Sequence, residues 1–172
     1  LVDDKAAARA LTMCDLIDET ISDVRGMAYR LRPGVLDDLG LVDALENYTT
    51  DFEKRTGITC VFDHQRISDV SETIATAAYR ITQEALTNVA RHADAGHVDV
   101  QLGLNDSSLL LAVSDDGRGF DTAALGESDG LGLAGMRERA ALAGGTLHVY
   151  SRPQNGTQVV FKVRIDGLNY SY

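Results

Sequence analysis

Four short groups of residues in this chain combine types and spacings that can do chemistry. Glu84 and Asn88 stand four apart, and on a helix that spacing sets both side chains on one face, one turn from each other. A carboxylate beside a carboxamide oxygen suits a hard cation such as Mg2+, which takes oxygen ligands and usually shares them with substrate phosphates. Taken alone, a solvated helix face is the blander reading of the same pair; Thr87, Arg91 and His92 extend its polar strip. The second group is Asp115-Asp116-Gly117-Arg118-Gly119-Phe120. Glycines two apart let backbone approach a flat ligand closely, and an aspartate at a strand end can accept a hydrogen bond from an exocyclic amine. Any tight turn can also read this way. The third, Gly130-Leu131-Gly132-Leu133-Ala134-Gly135, satisfies GxGxxG but fails as a dinucleotide fingerprint, because residues 126–129 are no strand and residues 150–157 hold no acidic residue for a ribose. What remains is a glycine-rich turn opening a helix, whose free N–H groups and positive dipole end suit phosphate oxygens. The fourth, Gly156-Thr157, is by itself a hairpin turn.

Regular elements must position these groups. Residues 72–92 read as a helix with the apolar face Ile74, Ala77, Ala78, Ile81, Ala85, Leu86 and Val89, so Glu84 and Asn88 project from a packed scaffold. Val98, Val100, Leu102 and Leu104 alternate with Asp99, Gln101 and Gly103, the period of a half-buried strand. The continuous apolar run 109–113 reads as a central strand that delivers Asp115 to its end. A glycine-rich, acidic segment, 117–130, precedes a helix over 133–143, which Gly144-Gly145 stops. Two β-rich runs, 146–151 and 157–165, straddle Pro153-Gln154-Asn155-Gly156 as a hairpin.

Upstream, Leu11, Cys14, Ile17, Ile21, Val24, Ala28 and Leu31 recur at steps of three and four, a heptad-like seam on an otherwise polar helix. Such a narrow stripe fits a bundle, across a dimer, better than an ordinary amphipathic helix on the domain's own core. Arg32-Pro33-Gly34 ends it. Short helical turns then lead into a helix to about Arg55, stopped by Gly57, followed by a strand over 58–62 and a polar connection from His64 to Ser71. Helices followed by strands and helices with an antiparallel tendency define an α+β class.

Composition bounds the function. With 26 acidic and 16 basic residues the net charge is −10, which repels phosphate backbones and anionic lipid, so neither nucleic acid nor a membrane surface is expected as a bulk partner. A phosphate ligand needs local help from backbone amides, a metal or a few placed cations. Cys14 and Cys60 stand alone, which argues against a disulfide scaffold or a zinc knuckle and fits a reducing cytoplasm. His92 and His97, five apart, make a poor metal pair. No apolar run nears the ~18 to 20 residues that span a bilayer, and no signal peptide is expected. Because the chain opens on leucine, the expectation is a fragment or processed product of a longer protein.

Taken in order, the four groups resemble the nucleotide-binding boxes of GHKL-type ATPases, whose Bergerat fold is a two-layer α/β sandwich. Residues 83–92 resemble the N box, 115–119 the G1 box, 130–133 the G2 box, and Gly156-Thr157 the last glycine-threonine element. Within that superfamily, Leu31-Arg32-Pro33 with Leu36-Asp37-Asp38-Leu39-Gly40-Leu41, the QEALTN form of the N box, and the run from Gly132 to Ala140 resemble sensor histidine kinases that pair with NarL-type response regulators. The resemblance implies a mixed, mostly antiparallel sheet with helices on one face, preceded by a long dimerisation helix. It divides the chain into a partial dimerisation helix (1–33), a connecting helical segment (34–57), the ATP-binding catalytic domain (58–167) and a tail (168–172).

The resemblance also implies roles. Asn88 ligates Mg2+, and Glu84, the catalytic residue, orients or polarises the attacking group or a metal-bound water. Arg91 and His92 contact phosphates. Asp115 binds the adenine amino group, Gly117 and Gly119 shape the adenine pocket, and Thr157 supports Asp115 and a bridging water. Residues 120–129 form the ATP lid, and Gly130, Gly132 and Leu133 border the phosphates. The implied cofactors are ATP and Mg2+. The implied partners are a second copy, in a homodimer of the full-length protein, and a NarL-type response regulator; the implied site of action is the cytoplasm. One departure matters: the phosphoacceptor histidine of the family's first dimerisation helix is absent, since His64 falls in a connection, His92 in the N box, and His97 and His148 in strands. The seam helix therefore resembles the second dimerisation helix. The expected function is transfer of the γ-phosphoryl of Mg-ATP to a histidine outside this chain, with no self-phosphorylation. Two alternatives stay open: another GHKL activity, as a serine kinase or a clamp ATPase, and a non-catalytic ATP-binding dimerisation module.

Overall fold

A computed structural model describes residues 33–65, 67, 70–105, 107–122 and 131–165. The expected seam helix, residues 123–129 of the expected lid, the expected phosphate-bordering Gly130 and the tail lie outside the described residues. Contacts separate Leu1–Gly34 from Val35–Tyr172, and the second unit carries the fold.

The first helix, α1 (Gly34–Thr56), breaks at Gly40, whose φ of 76° and ψ of 178° are not helical, so the expected short turns and longer helix meet at a kink. It stops at Gly57, where φ is 74° and the N–H donates to the Glu53 carbonyl at 2.8 Å; glycine enters this left-handed region without the Cβ penalty. Leu36, Leu41, Ala44, Leu45 and Phe52 of α1 are buried in the same core as the sheet.

Strand β1 (Thr59–His64) outlasts the expected 58–62, and His64 closes it instead of lying in the connection. The physical reason is its neighbour: β2 (His97–Asn105) offers parallel partners from His97 for Thr59 through Leu102 for His64. Cys60 of β1 is buried, and burial, with Glu53 and Asp99, pushes its thiol up to about 11, so it stays protonated and inert.

Helix α2 (Glu72–Asn88) is capped by Ser71, whose side chain accepts from the Ile74 N–H. The expected α-helix to residue 92 gives way at Val89 to a π-helical turn, Val89–Ala93, ended by Asp94 in the left-handed region. Tertiary contacts explain the change: the backbone N–H of Arg118 donates to the Ala93 carbonyl at 2.7 Å and its Nε to the His92 carbonyl at 2.7 Å, so the last carbonyls find partners outside the helix. Tyr79 of α2 meets Tyr48 of α1 edge-on, with ring centroids 5.8 Å apart.

The remaining elements are β3 (Ser108–Asp115), α3 (Leu131–Leu142), β4 (Gly145–Ser151) and β5 (Thr157–Arg164). Among the described residues the five strands are ordered β1-β2-β3-β5-β4, parallel between β1 and β2 and antiparallel elsewhere. Alternation gives the sheet two faces. Val98, Val100, Leu102, Leu109, Leu111, Val113, Val159, Phe161 and Val163 are buried on one, with Ile81 and Leu86 of α2 and Met136 and Ala140 of α3 in the same core. Full burial of such a side chain contributes about 1.5–3 kcal/mol, which commits this face to the helices. The other face carries Asp99, Gln101, Gln158 and Lys162, and Val61 and Tyr150 stand exposed. The architecture is the expected α+β two-layer sandwich. Among the described residues no helix is long and apolar enough to cross a membrane.

Candidate functional site

Strand register assembles the site. Asp115 lies opposite Val98 on β2 and Thr157 on β5, and Thr157 lies opposite Ser151 on β4. Counting by twos from the buried Val113 and Val159 and the partly buried Val149, these side chains fall on the helix-covered face. Asp115, Thr157 and Ser151 thus form a polar row across three strands, where the apolar rows of the core end.

A cavity of about 750 Å³ opens beside this row, within the usual range of about 300–1,000 Å³ for small-molecule sites. Glu84, Asn88, Arg91, His92, Asp115, Gly119, Gly132, Leu133 and Thr157 line it, over an apolar floor of Ala85, Val89, Ala93, Val113 and Val159. The four sequence groups, up to 73 positions apart between Glu84 and Thr157 (157 − 84), therefore converge on one space. Gly117 sits behind the wall. Its N–H donates to Asp115 Oδ1 at 2.9 Å, and a Cβ there would collide with the Ala93 carbonyl, so this glycine lets the loop approach the end of α2.

At the other end, Gly132 rests on the N-box pair. A Cβ on Gly132 would collide with Oε1 of Glu84 and lie 3.7 Å from Nδ2 of Asn88. The start of α3 thus closes over two oxygen-bearing side chains that α2 presents one turn apart. Among the described residues no group of three or more His, Cys, Asp or Glu side chains converges into a metal cage. A cation here fits only as Mg2+ does, with one or two protein oxygens and the rest from phosphates and water.

The two adjacent aspartates differ. Burial pushes the Asp115 carboxyl above its usual range; the backbone N–H groups of Gly117 and Thr157 oppose the shift, and the charge of Asp116 adds to it. Asp116 is exposed, and the N–H of His97, followed by that of Gly96, holds its carboxyl below the usual range. Its Oδ1 accepts from Gly96 at 2.9 Å and from His97 at 3.0 Å, fastening the G1 loop to the start of β2.

Arg118, Phe120, Asp116 and Ser151 have parts in the site that sequence reading did not assign. Arg118 and Phe120 line the cavity, and their place inside the glycine loop was the available signal. Ser151 accepts from the Phe120 N–H at 2.9 Å across 31 positions, and no local pattern marks it.

A mixed five-stranded sheet with helices on one face, a carboxylate at the end of its central strand and a glycine-opened helix over a Glu/Asn pair define a Bergerat-type nucleotide-binding domain. The chain belongs to the family described as histidine kinase-, DNA gyrase B-, and HSP90-like ATPase, which matches residues 73–167. It is similar to the oxygen sensor histidine kinase NreB of Staphylococcus carnosus (strain TM300), with 40% identity over 87% of this chain and 44% of that protein. It is also similar to the signal transduction histidine-protein kinase/phosphatase DegS of Brevibacillus brevis, with 33% identity over 94% of this chain and 42% of that protein. The chain thus spans less than half the length of these relatives. Among solved structures, the histidine kinase domain of the Erythrobacter litoralis EL346 blue-light activated histidine kinase superposes with a TM-score of 0.59 at 26% identity, over 73% of this chain and 61% of that one. Acinetobacter baumannii histidine kinase AdeS shares the fold at 13% identity, with a TM-score of 0.59 over 97% of this chain and 87% of its own.

Proposed function

We propose that this chain is the ATP-binding catalytic region of a two-component sensor histidine kinase, and that it transfers the γ-phosphoryl group of Mg-ATP to a histidine outside the chain. The observation that carries the reading is the sharing of one cavity of about 750 Å³ by Asp115 at one end and the Glu84/Asn88 pair under Gly132 at the other. That layout suits a ligand with a base at one end and phosphates at the other. Asp115 accepts from the adenine amino group, and Thr157 supports that contact. Arg91 and His92 meet the phosphates. Asn88 would hold Mg2+, which when bound supplies charge neutralisation to the phosphates.

In the transfer an imidazole nitrogen attacks the γ-phosphorus, the bond to the bridging oxygen breaks and ADP leaves. The chain's task is positioning and electrostatics. Glu84 orients the attacking imidazole through its N–H, and Arg91 faces the developing charge. The surface charge of −10 does not prevent this, because loop amides and a few cations act at contact distance while salt screens the diffuse field beyond about 8–10 Å.

The proposal divides the chain as 1–33, a second dimerisation helix; 34–57, a connecting segment; 58–167, the catalytic domain; and 168–172, a tail. It makes the full-length protein a cytoplasmically acting homodimer that passes the phosphoryl group to an aspartate of a NarL-type response regulator; the relatedness to NreB and DegS supports that subclass. The test mixes this chain with γ-labelled Mg-ATP and a separate acceptor-helix fragment. Acid-labile label on the fragment's histidine is expected, with none on the chain itself. Acid-stable label on serine would instead support another GHKL activity, and nucleotide binding without transfer a non-catalytic module.

A further inference from the structure

Ser151 ends the polar row and belongs to none of the nucleotide-binding boxes. Among the described residues its hydroxyl has three hydrogen-bond neighbours: the Phe120 N–H at 2.9 Å, the Gly156 carbonyl at 3.0 Å and the Thr157 hydroxyl at 3.1 Å. A hydroxyl carries one proton and two acceptor sites. An amide N–H can only donate and a carbonyl can only accept, so the Ser151 proton goes to Gly156 and its second acceptor site faces Thr157. The Thr157 hydroxyl must then direct its own proton to Ser151. Thr157 lines the cavity with no hydroxyl proton left to offer, and the carboxylate of Asp115, opposite it across the β3–β5 ladder, is likewise acceptor-only when ionised.

We propose that Ser151 is a positioning residue for base selectivity: by taking the Thr157 proton, it leaves the side chains of both Asp115 and Thr157 as hydrogen-bond acceptors toward the 6-substituent of the base. Such a pair suits a purine that carries an amino group at its 6-position and disfavours one with a 6-oxo group, whose lone pairs would face lone pairs. The inference rests on the ATP-binding reading and deepens it, assigning the choice of base to a side chain on β4. Because Ser151 also accepts from Phe120, the same hydroxyl ties the root of the lid segment to the base end.

Calorimetric titration of the whole chain with ATP and with inosine triphosphate tests it. The parent should prefer ATP. Ser151→Ala frees the Thr157 hydroxyl to turn its proton to a 6-oxo group, so the preference should fall about tenfold, the value of one net hydrogen bond. Ser151→Thr keeps the hydroxyl and should keep the parent ratio. On a Thr157→Val background, Ser151→Ala should leave the ratio unmoved. Parallel weakening of both nucleotides in Ser151→Ala, with the ratio intact, overturns the role of Ser151 and leaves the ATP reading standing. So does a ratio that still shifts without the Thr157 hydroxyl. A parent that binds both nucleotides equally overturns the adenine assignment and the inference with it. If Ser151→Ala does not fold, Ser151→Cys reads the same ratio through a weak S–H donor and acceptor.

Discussion

Gly132 sits so close to Glu84 that a single added carbon on the glycine would collide with the carboxylate oxygen Oε1. The contact sets the first turn of α3 against the last turns of α2 and brings together two parts of the site that are 48 positions apart (132 − 84). It makes the glycine a matter of space, not of backbone freedom.

Gly132→Ala separates fold from function. The obstructing atom is the end of a flexible side chain, so Glu84 can swing aside, and alanine favours a helix by about 1 kcal/mol over glycine. Thermal denaturation should show an unchanged or higher melting temperature, while phosphoryl transfer falls by roughly 10²-fold, the lower range for losing a positioned acid–base group. Transfer at the parent rate would remove Glu84 from the chemistry.

Asn88→Ala should abolish the dependence of nucleotide binding on Mg2+. The side chain is half-buried on α2 and the helix accepts alanine, so stability should hold. Titrating ATP with Mg2+ and with chelator gives two affinities in the parent; in the variant they should coincide. A persisting difference would assign the metal to other residues.

Asp115 makes binding pH-dependent in a defined direction. Its folded pKa is raised, chiefly by burial, so its stability contribution is fully present below the unfolded value of about 3.9 and is lost as pH rises through the folded value. At neutral pH the buried charge is a cost. Asp115→Asn should therefore melt no lower than the parent at pH 7, while ATP binding weakens by about 1–3 kcal/mol through a mismatched polar contact. In the parent, ATP affinity should fall on acidification at a pH above the ordinary aspartate range, with a step missing from the Asn variant. Identical pH profiles would contradict the assignment.

Arg118→Ala should loosen the join between the end of α2 and the glycine loop. The lost bond is that from Nε to the His92 carbonyl, and because the site is exposed, water replaces part of it, so urea denaturation should register a loss of about 0.5–1.5 kcal/mol. Arg118→Lys, able to donate from Nζ, should recover part of it. An unchanged midpoint in both variants would show that the Arg118 backbone bond to Ala93 holds the join alone.

Near-neighbour geometry made much of this legible in advance. The pairing of Glu84 with Asn88 follows from helical periodicity, the inward face of β2 from alternation, and the stops at Gly57 and Gly144 from glycine's access to the left-handed region. Each depends on residues a few positions apart, whose relation any regular helix, strand or turn reproduces. His64 entered β1 because β2 lay alongside it, and the end of α2 became a π-turn whose last carbonyls Arg118 satisfies from 26 positions away. Strand order was decisive for the base end of the cavity. With β5 between β3 and β4, Asp115, Thr157 and Ser151 fall into one row, and a serine outside every recognisable pattern meets Thr157 and Phe120. That order comes from burial of the whole apolar face of the sheet against α2 and α3. No local spacing encodes it, so only the folded chain decides which hydroxyl holds which proton.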